Sequence, residues 1–393
     1  MKPAIVLFKR DLRLHDNPAL SAAAQTKKPL ILLYSPESGL GSGQRFWLSR
    51  SLAGLQKELA KRKKQLVIRS DLKKAIVQSG ADALYCNMEK PPRVGIETHA
   101  FSPNLIDPDE TLTKQGTYFK VFTPFYRSAR VLLEKPLGVP SWTSGKLKSE
   151  AFPAEQSHLD AYWTPGEAAA RLRLSQFVKK GLSSYSKTRD RIDMDGTSCL
   201  SPHLNWGELS MNEVWQATNG SHAFTRELMF REFANYLLYH FPKLRTENFD
   251  PKFNRFKWEN NPGYFSAWKK GKTGYRIVDA AMRELEETGW IHNRARMIVG
   301  SFLVKDLLVD WRKGERWFWE KLVDGDEALN AFNWQWVAGS GPDSAPYFRI
   351  FNPELQAKKF DPKAAYRDEW APDQLNPIVD HNEARERALK KYK

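Results

Sequence analysis

The apolar residues of this chain change period part-way along, and that change limits its architecture more than any other feature. Short apolar runs at Ala4–Lys9, Leu30–Tyr34, Leu66–Ile68 and Ala83–Cys86 have the length of buried strands. Between them, Gln44–Lys63 carries Phe46, Leu48, Leu52, Leu55 and Leu59 at spacings that share one helical face. Strands alternating with helices predict a parallel sheet with covered faces, an α/β domain over residues 1–130. From Thr164 onward only the helical period remains, at Phe224–Phe241, Gly274–Thr288, Ile291–Val309 and Arg316–Leu322, so an all-α domain is expected over 166–393. Residues 131–165 hold Pro136, Pro140, Pro153 and Pro165 without a period and read as an interdomain connection. The tail Asn382–Lys393 reads as a charged helix.

Composition narrows the class. No run approaches a membrane span, and the apolar start meets Lys9-Arg10-Asp11 too early for a secretory signal. Two cysteines, Cys86 and Cys199, exclude a disulfide scaffold, and no metal-ligating set is expected. The chain reads as soluble, intracellular and cytoplasmic, or nucleoid-associated if bacterial. Its net charge of +15 makes nucleic acid the first partner to consider, although a basic surface that only keeps the protein soluble explains the charge equally well. The excess is uneven: 22 basic against 11 acidic residues up to position 130, and 39 against 35 afterwards. Of the 14 tryptophans, all but Trp47 and Trp142 lie after residue 160, several beside Arg, Asn or Asp rather than Leu and Val.

Common catalytic signatures fail. The first strand runs into Lys9-Arg10-Asp11-Leu12 with no G-x-G-x-x-G. Gly271-Lys272-Thr273 lacks the earlier glycine of a P-loop, because that position is Ser266. Asp193-Met194-Asp195-Gly196 resembles a calcium loop but ends on Leu204 instead of Glu. Neither H-E-x-x-H nor G-x-S-x-G is present.

Four ordered blocks remain. They are Phe8-Lys9-Arg10-Asp11-Leu12-Arg13-Leu14-His15-Asp16-Asn17; Tyr185 and Arg189 with Gly196–Pro202 and Trp206-Gly207-Glu208-Leu209; Gly271–Tyr275 through Asp279–Arg283 to Trp290–Met297; and Asp324-Gly325-Asp326 with Asn333–Trp336 and Phe348–Pro353. In this order they resemble the photolyase/cryptochrome family of blue-light flavoproteins, most closely a compact cyclobutane pyrimidine dimer photolyase. The resemblance implies a Rossmann-like N-terminal domain and a helical domain holding folded FAD. It implies a reaction too: excited reduced FAD passes an electron to a pyrimidine dimer in UV-damaged DNA, the ring opens, and the electron returns. The protein would act as a monomer, without a membrane.

By the same resemblance, the cofactor is bound by Tyr185, Thr197, Ser198, Cys199, Leu200, Ser201, Phe224, Arg231, Trp290, Asn293, Arg296, Asp324, Gly325 and Asp326. Hydroxyls and backbone N–H groups at a helix start suit phosphates, and Arg296 beside the flavin favours its anionic reduced form. Unaided, the Thr197–Ser201 run is equally an N-cap and Asp324/Asp326 a turn before a helix. Asn293 matches the residue facing flavin N5, where an amide hydrogen-bonds without readily giving up a proton. Glu227, Phe230, Arg231, Asn293, Met297 and Trp336 match the wall of the lesion pocket. Trp258, Trp311 and Trp334 match an electron relay to the surface, and Arg189, Arg231, Arg294 and Gln356 match contacts to the DNA backbone.

Three departures qualify the match. Cys199 replaces a basic residue common in relatives, and Phe230 replaces the Trp usual in bacterial dimer enzymes. After Asn87 the run Lys90-Pro91-Pro92-Arg93 opposes the helix that normally helps to form an antenna cleft, so an antenna chromophore is not assumed. Two readings compete with dimer repair: a cryptochrome-type signalling flavoprotein and a relative that prefers single strands.

Overall fold

A computed structural model describes residues 1–153, 155–344 and 349–392; Phe348 of the last sequence block lies outside them. Strands β1 (Ala4–Phe8), β2 (Leu30–Tyr34), β3 (Leu66–Ile68), β4 (Ala83–Asn87) and β5 (Glu97–Phe101) form one parallel sheet in the order β3-β2-β1-β4-β5. Helices α1 (Pro18–Gln25), α2 (Ser42–Lys61) and α3 (Leu72–Ser79) link the first four. Ala4, Val6 and Phe8 face α1 and α2 while Ile5 and Leu7 face α3. Burial on both faces is why these strands are continuous apolar runs. Nothing in that pattern announces β5, a half-exposed edge strand. From β4 the chain reaches β5 through Met88–Ile96, where Pro91 and Pro92 keep the connection out of a helix.

The strand order reverses between β1 and β4, the place where open α/β sheets usually seat a ligand. Here the chain's own side chains fill it. Asn87 Nδ2 donates to Asp11 Oδ2 at 2.7 Å and to Asn17 Oδ1 at 2.8 Å, and its carbonyl oxygen accepts from Ala19 N–H at 3.1 Å.

The rest of the chain is helical: α4 (Phe122–Ser128), α5 (Glu167–Lys180), α6 (Tyr185–Thr188), α7 (Ser201–Asn205), α8 (Met211–Thr218), α9 (His222–His240), α10 (Pro262–Lys269), α11 (Arg276–Thr288), α12 (Asn293–Ser301), α13 (Trp311–Lys321), α14 (Glu327–Ala338), α15 (Pro353–Phe360), α16 (Ala365–Trp370) and α17 (His381–Tyr392). The single helix expected over Ile291–Val309 is divided. A π turn at Phe302–Asp306 follows α12, with Leu307 N–H reaching back to Phe302 O at 3.0 Å, and Leu308 then turns left-handed at φ +47. α14 packs against both α9 and α12. Phe122 and Phe125 of α4 pack with Met229 and Phe233 of α9, so the stretch around the expected boundary at 130 rests on the helical layer. The following connection returns along the sheet, with Leu30 N–H donating to Thr143 O at 2.7 Å and Glu150 N–H to Ile68 O at 2.9 Å.

The block Phe8–Asn17 joins the two halves. Arg10 lies over the Trp206 ring at 3.9 Å, Leu12 N–H donates to Trp206 O at 3.1 Å, and Arg13 Nη1 donates to Gly207 O at 3.0 Å. Gly207 (φ +63) is required there, because a Cβ would overlap the Arg10 carbonyl. Gly43 of α2 admits the Lys321 carbonyl at the end of α13 in the same way.

Candidate active site

Three helices and two loops build the site. α9 presents Glu227, Phe230 and Arg231 at i, i+3 and i+4, and α12 presents Asn293, Arg294, Arg296 and Met297 from its first two turns. Asp326 caps α14: its Oδ1 accepts from Ala328 and Leu329 N–H at 2.9 and 3.0 Å, while Oδ2 pairs with Arg231 Nη2 at 2.6 Å. Both oxygens of Asp324 accept from Arg296 Nη2, at 2.9 and 3.1 Å. Cations from two helices thus converge on the single turn Asp324-Gly325-Asp326, and Gly325 O accepts from Asn205 at 3.2 Å.

Tyr185 and the Thr197–Ser201 loop form a second side. Ser198 Oγ accepts from Leu200 N–H at 3.3 Å, Ser201 Oγ accepts from Trp290 Nε1 at 3.2 Å, and Cys199 is left-handed at φ +48 with its sulfur 3.5 Å from Thr197 Oγ1. The Ser201 proton remains able to donate to an anion. Tyr185 and Phe224 meet edge to face at 5.1 Å beneath this loop. Half-buried hydroxyls on one side and carboxylate-anchored guanidinium groups on the other fit a dinucleotide whose diphosphate and electron-rich ring both need positive partners.

Two groups here had no role assigned from sequence, Glu284 outside the four blocks and His292 inside the Trp290–Met297 block. Burial pushes the Glu284 carboxyl of α11 up to about 7, against the pull of Tyr366 Oη, which donates to it at 2.5 Å. Glu284 acts electrostatically on Cys199 and is acted on by Arg296, which places it beside the site. Burial pulls His292 down to about 4, and its neutral Nδ1 accepts from Arg294 N–H at 3.0 Å, capping α12.

The residues expected at the lesion pocket and at the DNA backbone are held by close neighbours. Glu227 pairs with Arg189 at 2.6 Å, Arg294 pairs with Asp190 at 2.7 Å and also reaches the Met297 sulfur at 3.5 Å, and Phe230 stacks on Phe122 at 3.6 Å. Trp336 Nε1 donates to Asp343 O at 3.1 Å, and Gln356 is half-buried on α15. Arg189, Arg231 and Arg294 therefore already hold carboxylates, which a DNA phosphate would have to displace. Trp311 and Trp334 are buried and Trp258 half-buried within one cluster. Trp311 Nε1 donates to Asn248 at 2.9 Å, and Trp334 meets Phe318 at 5.0 Å and Trp268 at 6.1 Å. Among the described residues no acidic, His or Cys cluster could hold a metal, and no helix is long and apolar enough to cross a membrane.

The family profiles follow this division. Residues 4–93 match DNA photolyase and residues 224–376 match the FAD binding domain of DNA photolyase. The chain is 40% identical to a deoxyribodipyrimidine photo-lyase of Agrobacterium fabrum, covering 99% of this chain and 97% of the relative. The chain belongs to the DNA photolyase family. A bacterial class III photolyase from Agrobacterium tumefaciens superimposes with a TM-score of 0.93 at 39% identity, over 100% of this chain and 97% of that one. Cryptochrome-2 of Arabidopsis thaliana is 31% identical over 95% of this chain and 71% of its own length. As in other photolyases, the helical half is an FAD-binding domain. The N-terminal match stops at Arg93, where the Pro91-Pro92 passage to β5 begins. Aligning this 393-residue chain with the A. fabrum photo-lyase takes 466 positions, so the relative has internal residues that this chain lacks.

Proposed function

We propose that this chain is a light-driven lyase that splits cyclobutane pyrimidine dimers in UV-damaged DNA, working as a cytoplasmic monomer with its α/β domain at 1–130 and its catalytic domain at 166–393. The carrying observation is the face of α9, where the Glu227 carboxylate, steadied by Arg189 at 2.6 Å, stands one turn from the stacked ring of Phe230. What FAD supplies, when bound and reduced, is an electron on blue-light excitation and a place for its return.

The chain's residues do the rest. Glu227 hydrogen-bonds the carbonyl or imide edge of the flipped dimer, and Phe230, Met297 and Trp336 sandwich its fused rings and exclude water. Asn293 contacts the flavin edge without readily supplying a proton, and Arg296, fixed by Asp324, favours negative charge on the ring. Arg189, Arg294 and Gln356 contact DNA phosphates, the arginines by exchanging a carboxylate for a phosphate. Trp334, Trp311 and Trp258 carry an electron inward to oxidised flavin, a task separate from repair.

A cryptochrome-type signalling role is the second reading, favoured by the likeness to cryptochrome-2 and by Phe230, whose ring offers less stacking area than the Trp usual in bacterial dimer enzymes. One assay separates them. Dithionite-reduced, FAD-loaded protein should remove thymine dimers from an oligonucleotide under blue light and not in the dark. Dimers that survive illumination with folded, reduced holoprotein would leave signalling as the function.

A further inference from the structure

Asp343 occupies the loop after α14 in a left-handed conformation, φ +54, that a residue with a Cβ seldom adopts. Three contacts hold it there. Its carbonyl accepts from Trp336 Nε1 at 3.1 Å. Burial pushes its carboxyl up, and the backbone N–H of Phe122 together with Arg226 and Arg349 pulls it back down, which puts the carboxyl at the start of α4. Val121, the N-cap of α4, makes no side-chain capping bond, so Asp343 serves that helix start from across the chain. Phe122 is only 2% exposed, and its ring lies 3.6 Å from that of Phe230 with 11° between the planes. The Arg226 guanidinium covers both rings, at 5.2 and 5.0 Å.

A continuous chain of contacts therefore runs from Trp336 through Asp343 and Phe122 to Phe230, joining two aromatic walls that stand on different helices. We propose that Asp343 is a positioning residue that fixes the separation of these walls, with Phe122 as the backing plane of Phe230, and so sets the preference for a dimer over undamaged bases. This rests on the repair reading of the site. A cyclobutane dimer holds its two pyrimidine rings at a fixed angle, so walls held at fixed spacing accept it and disfavour bases free to slide. The stacked pair also replaces, by rigidity, some of the face that a single larger indole would offer in place of Phe230.

The test uses full-length, FAD-loaded protein carrying Asp343→Ala, Asp343→Asn or Phe122→Leu. Dark affinity is measured for an oligonucleotide with one thymine dimer and for its undamaged twin, beside the flavin absorption spectrum. Asp343→Ala should weaken dimer binding about tenfold, with undamaged binding and the flavin spectrum unchanged. Asp343→Asn should return to within about twofold, since its amide oxygen accepts the same N–H and Asn tolerates positive φ. Phe122→Leu keeps apolar volume without a stacking plane and should follow Ala, which keeps the test alive if Asp343→Ala does not fold. Equal loss on both oligonucleotides, unchanged discrimination, or no rescue by Asn would overturn the assignment while leaving repair intact. A wild-type protein that neither repairs nor prefers the dimer would overturn the repair reading and this one with it.

Discussion

Glu227 is held by Arg189, and that pairing changes what its removal should do. Glu227→Ala takes a hydrogen bond from a buried lesion edge, a loss of about 1–3 kcal/mol if the edge stays unsatisfied. It also frees a guanidinium. Binding of a dimer-containing oligonucleotide should weaken while undamaged DNA binds as well or better and FAD is retained; unchanged dimer repair would remove Glu227 from the pocket. Glu227, Asn293, Arg296 and the Asp324/Asp326 turn were singled out in the sequence only through the family resemblance, since alone they read as helix surface or a turn. Their pairings were not legible, although Arg189 and Arg231 had themselves been expected at the site. Arg189, Asp190 and Arg231 reach carboxylates or cations brought close only by tertiary packing, and no local spacing encodes that.

At the scale of elements, α11 and α16 meet where Tyr366 donates to Glu284. With its carboxyl raised to about 7 by burial, Glu284 is neutral below that pH and ionises as pH rises through it. Glu284 acts on Cys199 in the Thr197–Ser201 loop expected to take the cofactor's phosphates, and an anion there would oppose binding, so FAD affinity should fall between roughly pH 6 and 8.5. Glu284→Gln, neutral throughout, should flatten that fall when FAD release is followed by fluorescence; a variant with the wild-type slope would place the titration elsewhere. α13 begins on Trp311, buried and bonded to Asn248 at 2.9 Å. Trp311→Phe forfeits that bond, about 1 kcal/mol, and a ring that is easily oxidised. Photoreduction of oxidised flavin should slow markedly while repair after dithionite reduction stays normal. Wild-type photoreduction would leave Trp311 a packing residue only. Strands β1 to β4 were legible because both their faces are buried. β5 was not, since Glu97–Phe101 is half exposed, and the π turn after α12 leaves the apolar period almost undisturbed.

For the whole molecule, a net charge of +15 favours DNA, but paired arginines temper its effect. Arg294 pairs with Asp190, whose side chain is 49% exposed, so a phosphate can exchange there; Arg231 is 12% exposed and locked to the cap of α14. Arg294→Ala should therefore reduce the slope of log affinity against log salt by about one. Arg231→Ala should instead chiefly loosen FAD. Equal effects of the two variants on the slope would show that Arg231 also reaches the DNA.

The joint between the halves has a consequence for synthesis. Asp11, Asn17 and Asn87 find one another within the first quarter of the chain, whereas Trp206 and Gly207, which seat on Arg10 and Arg13, are made much later. The α/β half can close its own polar junction while the helical half is still on the ribosome, leaving Arg10 and Arg13 in water and not buried without partners. The later half then docks on a finished socket, and a chain cut short before Trp206 still has a sheet to protect it.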